Sequence, residues 1–308
     1  MNPRIAILDL GTNTFNLLVA EVRPDHSFEI LFKAEEFVKL GEDGVDKIGE
    51  HAFQRGVEQI KKYRINIDER HPHKVIAFGT AAIRRASNGD NFIRAIGEAC
   101  PMEFHKISGD EEAELIYHGA RQAISLGEQP VLIMDIGGGS TEFIIASHEK
   151  IHWKKSFQIG SSVLKQHFHH QEPISSAEQV NLISFLQSEL QPLLSHAQIF
   201  SVKHLIGTSG TFDSFVQMLY ENAHAQPLHP FGIATEIPVP DFYRLCLSLI
   251  QSTMDERLKM KGLIWFRAEM MVVAAMLAGY VVETCNIKRI TRSAYALKEG
   301  ALLKFIQN

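Results

Sequence analysis

The chain has 308 residues, 45% apolar and 22% charged, enough for about two ordinary domains. That composition excludes a disordered tail protein, a collagen-like chain and a disulfide-framed miniprotein. Acids outnumber bases 36 to 31, a formal charge of −5, which argues against broad binding to nucleic acid or an anionic membrane.

In chain order, strand-like runs fall at 5–8, 17–22, 28–33, 75–79, 131–135, 143–147, 151–157 and 203–206. Helical periodicity fits 51–64, 80–86, 91–99, 110–125, 161–169, 176–195, 211–221, 240–251, 262–283 and 295–306. This alternation predicts an α/β protein. The weakly periodic stretch Gln122 to Pro130 is the expected boundary, giving domains 1–125 and 126–308, with the terminal helix near 296–308 able to pack back on the first. Ala223–Pro240, with four prolines, reads as a loop that could lie over a cleft.

No segment reads as a signal or an anchor. The run Met270 to Val282 has only thirteen residues, against about 20 for a membrane span, and is expected to be a buried helix. Cys100, Cys246 and Cys285 are far apart and odd in number. Three buried thiols in a reducing compartment, the cytoplasm, are the expectation.

Two segments resemble each other without a gap. Ile5-Ala-Ile-Leu-Asp9-Leu-Gly11-Thr12-Asn13-Thr14-Phe-Asn16 is matched by Val131-Leu-Ile-Met-Asp135-Ile-Gly137-Gly138-Gly139-Ser140-Thr141-Glu142 at an offset of 126. Each reads as strand, tight polar turn, strand. Glycine permits a left-handed backbone and close approach of a ligand. Successive N–H groups with hydroxyls then form an anion-binding concavity. Asp9 and Asp135 would repel phosphate directly, so they suit a hydrated Mg²⁺ or a water beside it. A third glycine loop, Gly207-Thr208-Ser209-Gly210-Thr211, sits before a helix, where backbone donors and the helix dipole suit phosphate.

Ser108 and Glu111 have capping-box spacing at the start of a helix. At 100° per residue, Glu111 points away from the apolar face Ala113, Ile116, Tyr117 and Ala120, while Glu112 sits at its margin. Glu112 is therefore the acid expected to be partly desolvated, as a general base requires. Arg84 or Arg85, after the run Val75–Phe78, could clamp a phosphate oxygen, with Arg85 the one expected on a solvated face.

Taken together, Asp9-Leu-Gly-Thr-Asn-Thr-Phe-Asn16, Gly79-Thr-Ala-Ala-Ile-Arg84, Ile107-Ser-Gly-Asp-Glu-Glu-Ala113, Asp135-Ile-Gly-Gly-Gly-Ser-Thr-Glu142, Gly207-Thr-Ser-Gly-Thr211 and Ala296-Leu-Lys-Glu-Gly300 resemble the exopolyphosphatase/guanosine pentaphosphate phosphohydrolase family. That family lies within the actin-like ATPase and sugar kinase superfamily. The resemblance implies two actin-like (ribonuclease H-like) α/β domains with mixed sheets flanked by helices and an active site in the cleft between them. It implies hydrolysis of a terminal phosphoanhydride of inorganic polyphosphate or pppGpp with Mg²⁺ as cofactor. The catalytic glutamate falls on Glu112, the phosphate loops on Gly11–Thr14 and Gly137–Ser140, and the phosphate-contacting arginine on Arg84. Asp135 and Glu142 match positions implicated in metal binding. Ala294 and Lys298 stand where the family commonly has an acid and an arginine.

The implied partners are the polyanions, with neither nucleic acid nor membrane, and a homodimer is compatible with the reading. Longer family members carry further C-terminal helical domains, so a weaker grip on very long polyphosphate is expected. Two other classes share such a fold: an ATP-dependent sugar or acetate kinase, and a non-catalytic nucleotide or (p)ppGpp sensor.

Overall fold

The computed structural model describes residues 2–223 and 232–307. Among them are eleven strands: β1 (Arg4–Leu10), β2 (Thr14–Val22), β3 (Phe28–Phe37), β4 (Lys74–Gly79), β5 (Glu103–Lys106), β6 (Val131–Ile136), β7 (Thr141–Ala146), β8 (Ile151–Phe157), β9 (His204–Thr208), β10 (Ala234–Ile237) and β11 (Arg289–Ser293). The helices are α1 (Glu50–Asp68), α2 (Ala81–Arg85), α3 (Gly89–Ala99), α4 (Gly109–Ala123), α5 (Ser161–Phe168), α6 (Ser176–Glu189), α7 (Gln191–Ile199), α8 (Ser209–Ala223), α9 (Val239–Gln251), α10 (Met254–Arg257), α11 (Met271–Thr284) and α12 (Leu297–Gln307). The described residues up to Gly119 and from Leu297 onward form one compact unit, and those between form a second.

The first unit holds a sheet in the order β3-β2-β1-β4-β5. Strands β1 to β3 form an antiparallel meander, and β4 and β5 join it in parallel. Parallel pairing needs a crossover, which α1 supplies between β3 and β4. Its buried side chains Ala52, Ile60, Tyr63 and Ile67 recur at helical spacing and join Leu8, Leu17, Val19 and Phe92 in one core. The Tyr63 hydroxyl donates to the Phe15 carbonyl at 2.7 Å, which satisfies its polar end inside that core.

The second unit repeats the plan. Read from β8, its order is β8-β7-β6-β9-β11, an antiparallel meander followed by two parallel strands, with β10 added antiparallel at the far edge. Strands β6 and β7 are buried at every position. Helix α11 buries ten of its residues from Met271 to Val282, each full-sized aliphatic contributing roughly 1.5–3 kcal/mol by leaving water. Among the described residues no helix is long and apolar enough to cross a membrane. All three cysteines are free and buried; burial pushes the Cys246 thiol up to about 12 and that of Cys285 to about 11.

Several elements differ from the sequence expectation. β5, β10 and β11 were not anticipated. The run 176–195 is two helices broken at Leu190, with Pro192 in the first turn of α7. Helix α11 starts at Met271, not near 262: Gly262 has a left-handed φ of +79°, which no helix residue adopts, and Trp265–Arg267 form a separate 3-10 turn before the helix begins. Of the expected loop 223–240, residues 224–231 lie outside the described residues, while Ala234–Ile237 is strand β10 and α9 begins at Val239.

Candidate active site

The 126-residue repeat is reproduced in hydrogen bonds. The Gly11 N–H donates to the Thr14 carbonyl at 3.0 Å, and the Gly137 N–H donates to the Ser140 carbonyl at 3.0 Å. Asp9 lies opposite Asn16 and Asp135 opposite Glu142 in the two hairpins. Neither Gly11 nor Gly137 has a left-handed φ; their Cβ atoms would stand 2.9 and 3.0 Å from the carbonyl oxygens of Thr14 and Ser140. Glycine is needed in both turns for space, not for the left-handed backbone that sequence reasoning expected.

Each turn is braced by distant chain. In the first unit the Asn13 carbonyl accepts from Val38 N–H (2.9 Å) and Lys39 N–H (2.8 Å), and the Thr12 carbonyl accepts from Gly41 N–H (3.1 Å). In the second, the Gly137 carbonyl accepts from Ser161 N–H (2.8 Å) and the Gly138 carbonyl from Ser162 N–H (2.9 Å). The Thr141 hydroxyl donates to the Ile159 carbonyl at 3.1 Å. These braces, at 38–41 and 159–162, were missed in the sequence; their only signal was a glycine beside each, Gly41 and Gly160.

Register places Thr208, Asp135, Glu142 and Ser156 in one row across β9, β6, β7 and β8, on one face of the sheet. Asp135 and Glu142 are buried, and such carboxylates require donors. One oxygen of Asp135, Oδ2, accepts from the Thr208 hydroxyl (2.7 Å) and the Ser209 hydroxyl (2.6 Å). Glu142 Oε1 accepts from the Ser156 hydroxyl at 2.6 Å. The hydroxyls of Thr208 and Ser209, expected as phosphate donors, are thus engaged with Asp135. The corresponding row in the first unit is Phe78, Asp9, Asn16 and Glu35.

Gly210 belongs to the same third loop. Its carbonyl accepts from Arg267 Nη1 at 2.6 Å, and a Cβ at Gly210 would run into that guanidinium. Gly207 is equally constrained, by the Phe212 ring 2.0 Å from its would-be Cβ. Arg267 carries no motif that sequence reasoning could have used.

In the first unit, Arg84 and Glu112 come together. Arg84 Nη1 donates to the Ile107 carbonyl at 2.9 Å and to Glu112 Oε2 at 3.1 Å. The Ser108–Glu111 capping box forms as its spacing predicts, through Ser108 N–H to Glu111 Oε2 (2.7 Å) and Glu111 N–H to the Ser108 hydroxyl (3.2 Å). Hydrogen bonding to Ser108, its backbone N–H foremost, holds the Glu111 carboxyl below the usual carboxylate range. Glu111 is exposed, whereas Glu112, one residue on, is only 8% exposed, as the helical periodicity places it. Arg84 Nη2 is buried with no hydrogen-bond partner among the described residues. A buried guanidinium N–H without an acceptor costs roughly 1–3 kcal/mol, more for a charged group, so it marks a place for an anionic oxygen or water. Arg85 instead reaches the exposed Asp46 at 2.8 Å.

Among the described residues no group of three or more His, Cys, Asp or Glu side chains gathers at metal-ligand distance. The oxygen donors present suit a cation that keeps most of its water and takes one or two carboxylates, which is the habit of Mg²⁺.

The pattern of the Ppx/GppA phosphatase family matches residues 18–308. The chain is 28% identical, over its whole length, to a guanosine-5'-triphosphate,3'-diphosphate pyrophosphatase of Aeromonas salmonicida, 60% of which is covered. It is 35% identical over 221 residues, 67% of the chain, to 32% of a bifunctional 3-dehydroquinate synthase/phosphatase of Fusobacterium nucleatum. The crystal structure of an exopolyphosphatase from Cytophaga hutchinsonii is 37% identical, with a TM-score of 0.95 over 99% of this chain and 98% of that one. A PPX-GPPA enzyme of Aquifex aeolicus, 22% identical with a TM-score of 0.79, shares the fold. The chain spans about 60% of the length of the curated pyrophosphatases it matches.

Proposed function

The chain belongs to the Ppx/GppA phosphatase family, and from that premise we propose that it hydrolyses the terminal phosphoanhydride bond of inorganic polyphosphate or pppGpp. The observation that carries the reading is the pairing of a buried arginine donor lacking an acceptor with a largely buried glutamate in contact with the same guanidinium. An acceptor for Arg84 Nη2 is what a phosphoryl oxygen supplies. A carboxylate beside it is what a water nucleophile requires.

In the proposed reaction a water oxygen attacks the terminal phosphorus and the bond to the bridging oxygen breaks. Glu112 accepts the proton of that water, and the leaving phosphate chain carries away the bridging oxygen. Arg84 stabilises charge on the transferring group. The turns Gly11–Thr14 and Gly137–Ser140 present backbone donors and hydroxyls to phosphate oxygens; their braces keep them from reorganising as charge develops. Thr208, Ser209 and Gly210 shape the second unit's contribution through Asp135 and Arg267. Asp9, in the first unit, and Asp135 and Glu142, in the second, are the carboxylates proposed for Mg²⁺. When bound, Mg²⁺ supplies positive charge that offsets the polyanion.

Phosphate release from long polyphosphate, pppGpp and ATP, measured in parallel with and without Mg²⁺, tests the reading. Mg²⁺-dependent release from either of the first two is expected. No phosphate release from the first two, with ATP converted to ADP only when a phosphoryl acceptor is present to take the γ-phosphoryl group, would favour the kinase alternative.

A further inference from the structure

Ser209 is one of six non-glycine residues with a left-handed φ among the described residues. Its φ is +62°, the left-handed region that disfavours residues with a Cβ and suits glycine, or asparagine and aspartate among the rest. The two glycines near it, Gly207 and Gly210, are not left-handed and are required for space. The loop thus spends glycine where room is short and keeps a serine where the backbone would favour glycine. What the serine contributes is a hydroxyl 2.6 Å from Asp135 Oδ2, beside the Thr208 hydroxyl at 2.7 Å on the same oxygen.

We propose that Ser209 is a positioning residue that accepts a disfavoured backbone conformation in order to fix the Asp135 carboxylate, so that its loss impairs divalent-cation binding at Asp135. Two hydroxyl donors converging on one carboxylate oxygen settle the rotation of the group about its last torsion, which is otherwise soft. Orientation of a carboxylate by outer hydrogen bonds commonly changes metal affinity by about 10–100-fold. Backbone strain kept at such a position is what a site that needs a particular side chain shows. The proposal rests on the hydrolase reading of Asp135 and adds to it a role for Ser209 other than holding phosphate.

Three variants separate the hydroxyl from the backbone. S209G and S209A both remove the hydroxyl, but only glycine relieves the left-handed conformation; S209T keeps the hydroxyl and crowds the backbone further. The expected order of Tm is S209G above S209A by about 2–5 °C, with S209T no higher than wild type. Mg²⁺ affinity by calorimetry, without substrate, is expected to sort them otherwise: about 10–100-fold weaker in both S209G and S209A, and near wild type in S209T. A purely structural serine would make Mg²⁺ affinity follow Tm. S209G with wild-type Mg²⁺ affinity and turnover overturns the proposal, and the S209G and S209A pair decides it even if S209T does not fold. A wild-type chain that binds Mg²⁺ but releases no phosphate from polyphosphate or pppGpp refutes the hydrolase reading, while the calorimetric comparison still judges Ser209.

Discussion

A methyl group at Gly160 would lie 2.3 Å from the Gly138 carbonyl oxygen, 2.4 Å from its carbon and 2.5 Å from the Gly139 nitrogen. Ordinary contact begins at 3.4 Å, so G160A must push the 138–139 peptide away by a distance on the order of 1 Å. That peptide is the middle of the proposed phosphate turn, and no flexible side chain lies between to absorb the shift. The neighbouring bonds from Ser161 and Ser162 N–H to the Gly137 and Gly138 carbonyls would stretch with it. Overpacking of this kind costs about 1–3 kcal/mol in stability, and a 1 Å misplacement of positioning groups costs about 100-fold in rate. The assay is steady-state phosphate release with a thermal melt of the same sample. G97A supplies the control: its Cβ in α3 meets nothing within 4 Å, so it is expected to keep full activity and gain about 0.5–1 kcal/mol from helix propensity. Wild-type turnover in G160A would refute the claim that the turn is held rigidly by close backbone contact.

Other outcomes follow from the same contacts. R84M leaves Glu112 without its guanidinium partner in a largely buried position and is expected to destabilise the chain by on the order of 3 kcal/mol and to lower turnover by about 100-fold; R84K, which keeps the charge but not the fork, is expected to fall between the two. Stability is expected to be level between pH 6.5 and 8 and to fall toward pH 4. Burial, then Arg289, lowers His204 from 6.5 to about 4, so the unfolded chain takes up a proton in that window before the folded one does. Glu178 adds a second loss below 4.5: burial raises its carboxyl, but N–H donors of Ser175, His170 and Gln171 and the Ser175 hydroxyl outweigh this and hold it at about 2. Urea midpoints from pH 3 to 8 in wild type and H204Q check this, since H204Q is expected to lose much of the slope between 6.5 and 4; an equal slope in both would contradict it.

The parts of the fold legible in the sequence are those whose signal is local. Asp9 and Asp135, their turns and the alternation around them lie within sixteen residues each, so the repeat could be read and the hairpins pair as that repeat implies. Glu112 was separable from Glu111 because one residue of helical rotation moves a side chain by 100°. Strands β5 and β10 have four residues each at sheet edges, too short for periodicity. Strand β11, Arg-Ile-Thr-Arg-Ser, owes its place to pairing with β9, 85 positions earlier at His204–Arg289. In the site, Arg267 and the brace at Gly160 act through contacts far apart in sequence, on backbone atoms that carry no residue pattern. The reason for the turn glycines was likewise invisible, because the space they leave is defined by a carbonyl that only the folded hairpin brings near.

Glu112 carries the central claim, and E112Q tests it most directly. The substitution keeps shape and hydrogen-bonding capacity beside Arg84 but removes the group that accepts the proton of water. Phosphate release from polyphosphate and pppGpp is to be measured with binding of the same compounds by wild type and E112Q. Retained binding with turnover lowered by about 100-fold or more is the expected result; phosphate release at the wild-type rate by E112Q would contradict the account.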